Sequence, residues 1–140
     1  SQSLQDAPSS PKARSTQASR ILVVEDSELT REMIVSAIGK LGYGVLEAIN
    51  GRAALKVLDH ERVDLILTDL DMPILDGFGL LAELKSRSDG TPVAVISTRD
   101  DEAARARSKS LGAKAYLTKS VLEESGLGTL IEALLKERSS

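Results

Sequence analysis

The chain has 140 residues, of which 41% are hydrophobic and 28% charged, the balance of one ordinary globular domain. A net charge of -3 supplies no basic field to recruit nucleic acid, so direct DNA binding is not expected. There is no cysteine, which excludes disulfides and thiolate metal sites and fits a cytoplasmic setting; no apolar run reaches the roughly 18 residues of a membrane span, and the N-terminus lacks the apolar core of a signal peptide, so a soluble protein with no membrane partner is expected.

Residues 1–19, SQSLQDAPSSPKARSTQAS, carry one large aliphatic side chain among Ser, Gln, Ala and Pro. Such a stretch buries too little apolar surface to offset the entropy of ordering, and it is expected to be a disordered linker or tail. It either tethers the domain to something upstream or marks where the segment was cut. The folded domain is expected over residues 20–138.

From Arg20 the pattern alternates between short apolar runs and helical periodicity. Ile21 to Val24 reads as a strand ending at Glu25-Asp26. Ser27 then caps a helix whose apolar positions, Leu29, Met33, Ile34, Ala37, Ile38 and Leu41, recur at three and four, and Gly42 closes it. A strand at Val45 to Ala48 leads to Asn50 as a cap. The helix that follows places Ala53, Ala54, Val57 and Leu58 on one side and ends at His60-Glu61. The central strand is Leu65 to Thr68, stopped by Asp69, and a flexible Asp76-Gly77 turn precedes a helix from Phe78 with Leu80, Leu81 and Leu84 inward. Gly90-Thr91-Pro92 is a turn before the strand Val93 to Ile96, which stops at Ser97-Thr98. A charged, small-residue helix from about Asp100 to Leu111 closes at Gly112 and should pack loosely. The fifth strand, Ala115 to Thr118, ends at Lys119, and a last helix carries Leu127, Leu130, Ile131, Leu134 and Leu135 on one face. Five strands alternating with five helices imply right-handed βαβ units around a parallel sheet, a doubly wound α/β sandwich of three layers.

In a parallel sheet every strand ends on the same edge, and ligands bind in the crevice outside those ends. Glu25-Asp26, Asp69, Ser97 and Lys119 therefore belong together. Converging carboxylates repel unless a hard cation joins them, and Mg2+ prefers oxygen ligands, so Asp26 and Asp69 directly, with Glu25 through water, would make a Mg2+ site. An Asp beside Mg2+ can accept a phosphoryl group, whose charge the metal, the Lys119 ammonium and the Ser97 hydroxyl would share.

The segments ILVVEDS, LILTDLDMPILDG, PVAVIST and GAKAYLTK resemble, in order and spacing, the motifs of the receiver domain of two-component response regulators, over residues 20 to 138. The resemblance implies the CheY-like, flavodoxin-like strand order 2-1-3-4-5, with the site between the first and third strands. It implies Asp69 as phosphoacceptor, Glu25 and Asp26 as the acidic pair holding Mg2+, and the backbone carbonyl of Asp71 as a further ligand. Ser97 would be the switch hydroxyl, Tyr116 the switch aromatic and Lys119 the phosphate-sensing lysine. The chemistry would be self-phosphorylation and autodephosphorylation, not conventional turnover. His60, the only histidine, sits at the polar end of a helix and lacks the surroundings of a phosphodonor. The donor is thus expected to be a histidine kinase or phosphotransfer domain. Output would pass by contact to a protein effector or a kinase domain in cis, through a face built on the fourth helix, fifth strand and fifth helix of an isolated monomer.

Receivers usually carry Lys-Pro with a cis peptide after the fifth strand; here the pair is Lys119-Ser120. A cis bond before a non-proline residue costs about 3 kcal/mol, so this loop should strain or relax to trans. The tail, the chain end after the fifth helix and the Lys-Ser loop resemble receivers of CheA-like hybrid chemotaxis kinases, with a stand-alone CheY-like regulator as the alternative. Asp71 and Arg99, each two residues beyond a site residue, could meet as an ion pair over the phosphoryl position and modulate its lifetime, or stand as two independent solvated charges. Two readings of other kinds compete. DLD matches the DxD of haloacid dehalogenase-type phosphatases, but Pro73 replaces the expected Thr or Val, the motif ends the third strand and no cap domain exists. A pseudo-receiver scaffold that never takes phosphate is opposed by the intact acidic, hydroxyl and lysine set.

Overall fold

The computed structural model describes residues 19–123 and 126–139; most of the predicted tail, residues 1–18, lies outside them. The apolar runs form strands β1 (Arg20–Val24), β2 (Gly44–Ala48), β3 (Leu65–Thr68), β4 (Val93–Ser97) and β5 (Ala115–Thr118). All pair in parallel, in the order β2-β1-β3-β4-β5. Between and after them lie α1 (Glu28–Lys40), α2 (Gly51–His60), α3 (Gly77–Ser86), α4 (Glu102–Ser110), a 3-10 segment (Lys119–Glu123) and α5 (Gly126–Ser139).

The uninterrupted hydrophobicity of β1, β3 and β4 follows from their position. Successive side chains point to opposite faces of a sheet, and here both faces are covered. Leu22, Val24, Ile66, Val93 and Val95 pack with Ala54 of α2, Phe78, Leu80, Leu81 and Leu84 of α3, and Ala104 of α4. On the other face, Ile21, Val23, Leu65, Leu67, Ala94 and Ile96 meet Ile34 and Ile38 of α1 and Leu127, Ile131 and Leu134 of α5. Each such aliphatic side chain contributes about 1.5–3 kcal/mol on burial, so the central strands are the most firmly held part of the molecule.

Helix starts are capped as the sequence suggests. Ser27, Asn50, Asp76 and Asp101 accept backbone N–H groups of Thr30, Ala53, Gly79 and Ala104, and Gly42 and Gly112 take positive φ where α1 and α4 end.

The structure corrects the sequence reading in four places. Leu29, Met33 and Leu41 belong to the apolar periodicity of α1, yet they are exposed, because Ile34 and Ile38, with partly buried Val35 and Ala37, fill the contact with the sheet. Leu41 still lies against Gly128 of α5, where a Cβ would come within 3.1 Å of its side chain. The charged helix begins at Glu102, not at Asp100, because Asp101 is the cap. Asp76-Gly77 is no flexible turn: Asp76 caps α3 and Gly77 is its buried first residue. A Cβ at Gly77 would overlap the Asp69 carbonyl oxygen, and the Gly77 N–H is donated to the Leu70 carbonyl at 2.9 Å, so α3 starts flush against the end of β3. Finally, a 3-10 segment, unforeseen in the sequence, follows β5. The Lys119–Ser120 peptide within it is trans, the second of the two outcomes expected for a loop without proline.

Candidate functional site

Register brings the site together. Val24 pairs with Thr68, so the residues beyond them, Glu25-Asp26 and Asp69, emerge side by side at one sheet edge. The edge is tied by the Glu25 N–H to the Ala48 carbonyl and the Asp69 N–H to the Val24 carbonyl, both at 3.0 Å. Arg31, one turn into α1, donates to the Glu25 carbonyl at 2.9 Å and pairs with Glu47 at 3.0 Å. Sequence reasoning passed over Arg31; its spacing from Glu25, one helical turn past the cap, was the available signal.

Asp69 is 5% exposed, and its Oδ1 accepts the Leu70 N–H at 2.8 Å. Glu25 is 1% exposed, with Oε2 accepting the Ser27 N–H at 3.0 Å. Its other oxygen, Oε1, is buried and pairs with the Lys119 ammonium 2.8 Å away. Lys119 also reaches Asp69 Oδ2 at 3.4 Å, so the lysine arrives at the site from its trans loop, closer to Glu25 than to Asp69. Asp26 is exposed beside them, and one oxygen from each of Glu25, Asp26 and Asp69 lies within 4.8 Å of the others. Three carboxylates at that spacing suit a small divalent cation with oxygen ligands.

The other predicted residues form a second group. Ser97 is fully buried, and its Oγ accepts the Arg99 N–H at 3.0 Å, a bond within its own loop and not to Asp69. Arg99 meets Asp71 at 3.6 Å, both side chains well exposed, and stands over the Phe78 ring at 5.8 Å. Arg107 covers the same ring at 4.1 Å. The Tyr116 hydroxyl donates to the Arg99 carbonyl at 2.7 Å. Thus Glu25, Asp26, Asp69 and Lys119 form one cluster, while Asp71, Ser97, Tyr116 and Arg99 share the β4–α4 loop and its neighbours. His60 is exposed at the end of α2, the helix-end position read for it from the sequence.

Burial dominates the titration of the cluster. It pushes Glu25 up from the ordinary 4.5 and Asp69 up from the ordinary 3.8, although Lys119 pulls both down. Burial works to lower Lys119, but its hydrogen bond to Glu25 and the charge of Asp69 outweigh it and hold the ammonium above 10.5. The site is therefore short of positive charge.

The family profile of the response regulator receiver domain matches residues 21–132. Protein PilH of Pseudomonas aeruginosa is 35% identical over 113 residues, covering 79% of this chain and 93% of its own length. The response regulator MprA of Mycolicibacterium vanbaalenii is 37% identical over 100 residues, 71% of this chain but 43% of that protein, so the chain spans well under half of this relative. Among solved structures, the receiver domain of a signal transduction histidine kinase from Syntrophus aciditrophicus superimposes with a TM-score of 0.78 at 33% identity, covering 86% of this chain and 92% of that one. The chain belongs to the response regulator receiver domain family, the phosphate-receiving modules of two-component signalling, and has its CheY-like fold. That match places the Asp-Leu-Asp of residues 69–71 in a receiver and lends nothing to the dehalogenase alternative. Among the described residues no helix is long and apolar enough to cross a membrane.

The raised carboxyl values have a consequence for stability. A group whose folded value lies above its unfolded one binds more protons when folded, so stability increases as pH falls toward the range just above 4. Metal-free protein should melt higher near pH 5 than at pH 7.5. Asp69→Asn should raise the pH 7.5 melting temperature by roughly 3–5 °C, about 1 kcal/mol, and narrow the difference between the two pH values. Thermal unfolding followed by circular dichroism in EDTA checks this; a wild-type melting temperature that falls between pH 7.5 and 5 contradicts it.

Proposed function

We propose that Asp69 accepts a phosphoryl group from the phosphohistidine of a histidine kinase or phosphotransfer domain. In that step an Asp69 carboxylate oxygen bonds to phosphorus as the P–N bond breaks. Its electron pair leaves with the imidazole, which takes up a proton. The observation that carries the reading is the meeting of Glu25, Asp26 and Asp69 within 4.8 Å with Lys119 against the acceptor. Asp26, Asp69 and Glu25, with the Asp71 carbonyl, would hold Mg2+, which supplies positive charge to the phosphoryl oxygens. Lys119 supplies the protein's own share. Its hold on Glu25 means that a phosphorylated Asp69 must compete for the ammonium.

Ser97 and Tyr116 are the switch residues of this reading. Both are bonded to the Arg99 backbone, one at its N–H and one at its carbonyl, so a pull on the Ser97 hydroxyl toward a phosphoryl oxygen would be felt at Tyr116. The output is a change in protein contact, passed to an effector or to a kinase domain in cis. Likeness to a histidine kinase receiver supports the hybrid-kinase setting; the near full-length match to PilH supports a stand-alone CheY-like one. A domain spanning residues 20–138, a monomeric isolated state and a cytoplasmic setting belong to the same reading.

Acetyl phosphate with Mg2+ should add one phosphoryl group to the wild type and none to Asp69→Asn, and EDTA should abolish it. Intact-protein mass spectrometry reads the result, and equal labelling of both proteins contradicts it. The Asp71–Arg99 pair is exposed and worth only about 0–1 kcal/mol in stability, so its part is kinetic: it would stand over the path of an attacking water. Asp71→Ala and Arg99→Ala should each speed loss of phosphate several-fold, with the double variant no faster than the faster single one. Additive effects would mean two independent charges.

A further inference from the structure

The three carboxylates of the cluster are not held in the same way. Glu25 is fixed at its side chain by the Ser27 N–H at 3.0 Å and Lys119 at 2.8 Å, and Asp69 by the Leu70 N–H at 2.8 Å and Lys119 at 3.4 Å. Asp26 differs. Its side chain is exposed, and among the described residues no hydrogen bond or ion pair reaches it. Where its carboxylate stands therefore depends on the backbone that carries it.

That backbone is clamped at Glu25. The Glu25 N–H goes to the Ala48 carbonyl at 3.0 Å, and the Glu25 carbonyl accepts from Arg31 Nη1 at 2.9 Å. A peptide unit is planar, so the carbonyl of Glu25 and the N–H of Asp26 turn together, and fixing the first fixes the direction in which the chain enters the Asp26 Cα. The guanidinium is itself anchored: its Nε meets Glu47 of β2 at 3.0 Å, and the side chain is only 15% exposed. One rigid fork thus joins α1, the end of β1 and β2. A lysine, with a single nitrogen, cannot occupy both donor positions at once.

From these contacts we infer that Arg31 is a positioning residue of the cation site: it holds Asp26 where oxygens of Glu25, Asp26 and Asp69 come within 4.8 Å of one another, and so raises the affinity for a divalent cation. The inference rests on the proposed Mg2+ site and adds to it a side chain bonded to none of the three carboxylates. Charge alone argues the other way. A guanidinium near an anionic site repels an incoming cation, so as a bare charge Arg31 would weaken Mg2+ binding, whereas as a clamp it strengthens it. The sign of the effect separates the two roles. Groups that hold metal ligands in place change metal affinity by about 10–100-fold, and a clamp acting through one peptide unit belongs at the lower end of that range.

The test is a calorimetric titration of Mg2+ into the whole chain at pH 7.5, repeated with Arg31→Lys and Arg31→Gln. Both variants should bind Mg2+ roughly tenfold more weakly, although one keeps the positive charge and the other removes it. Labelling by acetyl phosphate at saturating Mg2+ should stay within about twofold of wild type, because a bound cation itself draws Asp26 into place. In the metal-free protein, amide nitrogen relaxation should show increased motion at Asp26 in both variants and none at Asp69, a local signature that a general loss of stability does not give. Should Arg31→Gln fail to fold, Arg31→Lys, which keeps the aliphatic stem and the charge, carries the test by itself. Unchanged Mg2+ affinity in Arg31→Lys, tighter binding in Arg31→Gln or unaltered relaxation at Asp26 would each overturn the inference in a protein that otherwise binds Mg2+ and takes phosphate on Asp69. A wild type that binds no Mg2+ would instead overturn the cation-site reading on which the inference rests.

Discussion

Two carboxylates taken out of water against a single ammonium are the constraint on which this molecule turns. Glu25 and Asp69 are almost wholly buried, and Lys119 is shared between them. Burial of such charges is expensive, and one ammonium offsets only part of that cost. The arrangement persists because the rest of the fold over-determines it. The strand register fixes where the two acids emerge, Gly77 lets α3 close on the end of β3, and Arg31 pins the backbone at Glu25. The deficit of positive charge that remains is what the proposed divalent cation would fill.

The β4–α4 loop holds the second group of residues together through one of them. Arg99 gives its N–H to Ser97, its carbonyl to Tyr116 and its guanidinium to Asp71 and the face of Phe78. The helix it leads into buries only Ala104 and Ser108, so little apolar contact resists its displacement. A rigid site and a lightly anchored helix therefore meet at a single backbone segment. This is the physical setting in which a local charge change can become a change of surface.

Much of this was legible in the sequence because apolar runs of four or five residues, bounded by caps and glycines, have few other ways to fold. The strands were placed to within a residue or two, and the strand-end acids and Lys119 follow from parallel topology alone. Other features depend on contacts that no local pattern encodes. Leu29 and Met33 obey the helical period and are exposed, since the period says which residues share a face but not how wide the buried stripe is. Asp76-Gly77 looks like a turn until the Asp69 carbonyl is seen to fill the space a side chain would need. That Lys119 leans toward Glu25 more than Asp69 is a matter of tenths of an ångström, beyond any reading of residue order.

The central claim is that burial holds protons on these carboxyls more tightly than water would, and that a divalent cation displaces them. Calorimetric titration of Mg2+ into the protein, repeated in buffers of different ionisation enthalpy, measures this directly, because metal binding to a protonated carboxyl releases the proton to the buffer. The account predicts binding with net proton release that grows as the pH falls from 8 toward 5, and loss of both in Asp69→Asn. Binding with no dependence on the buffer at pH 5.5, or equal binding by Asp69→Asn, would contradict it.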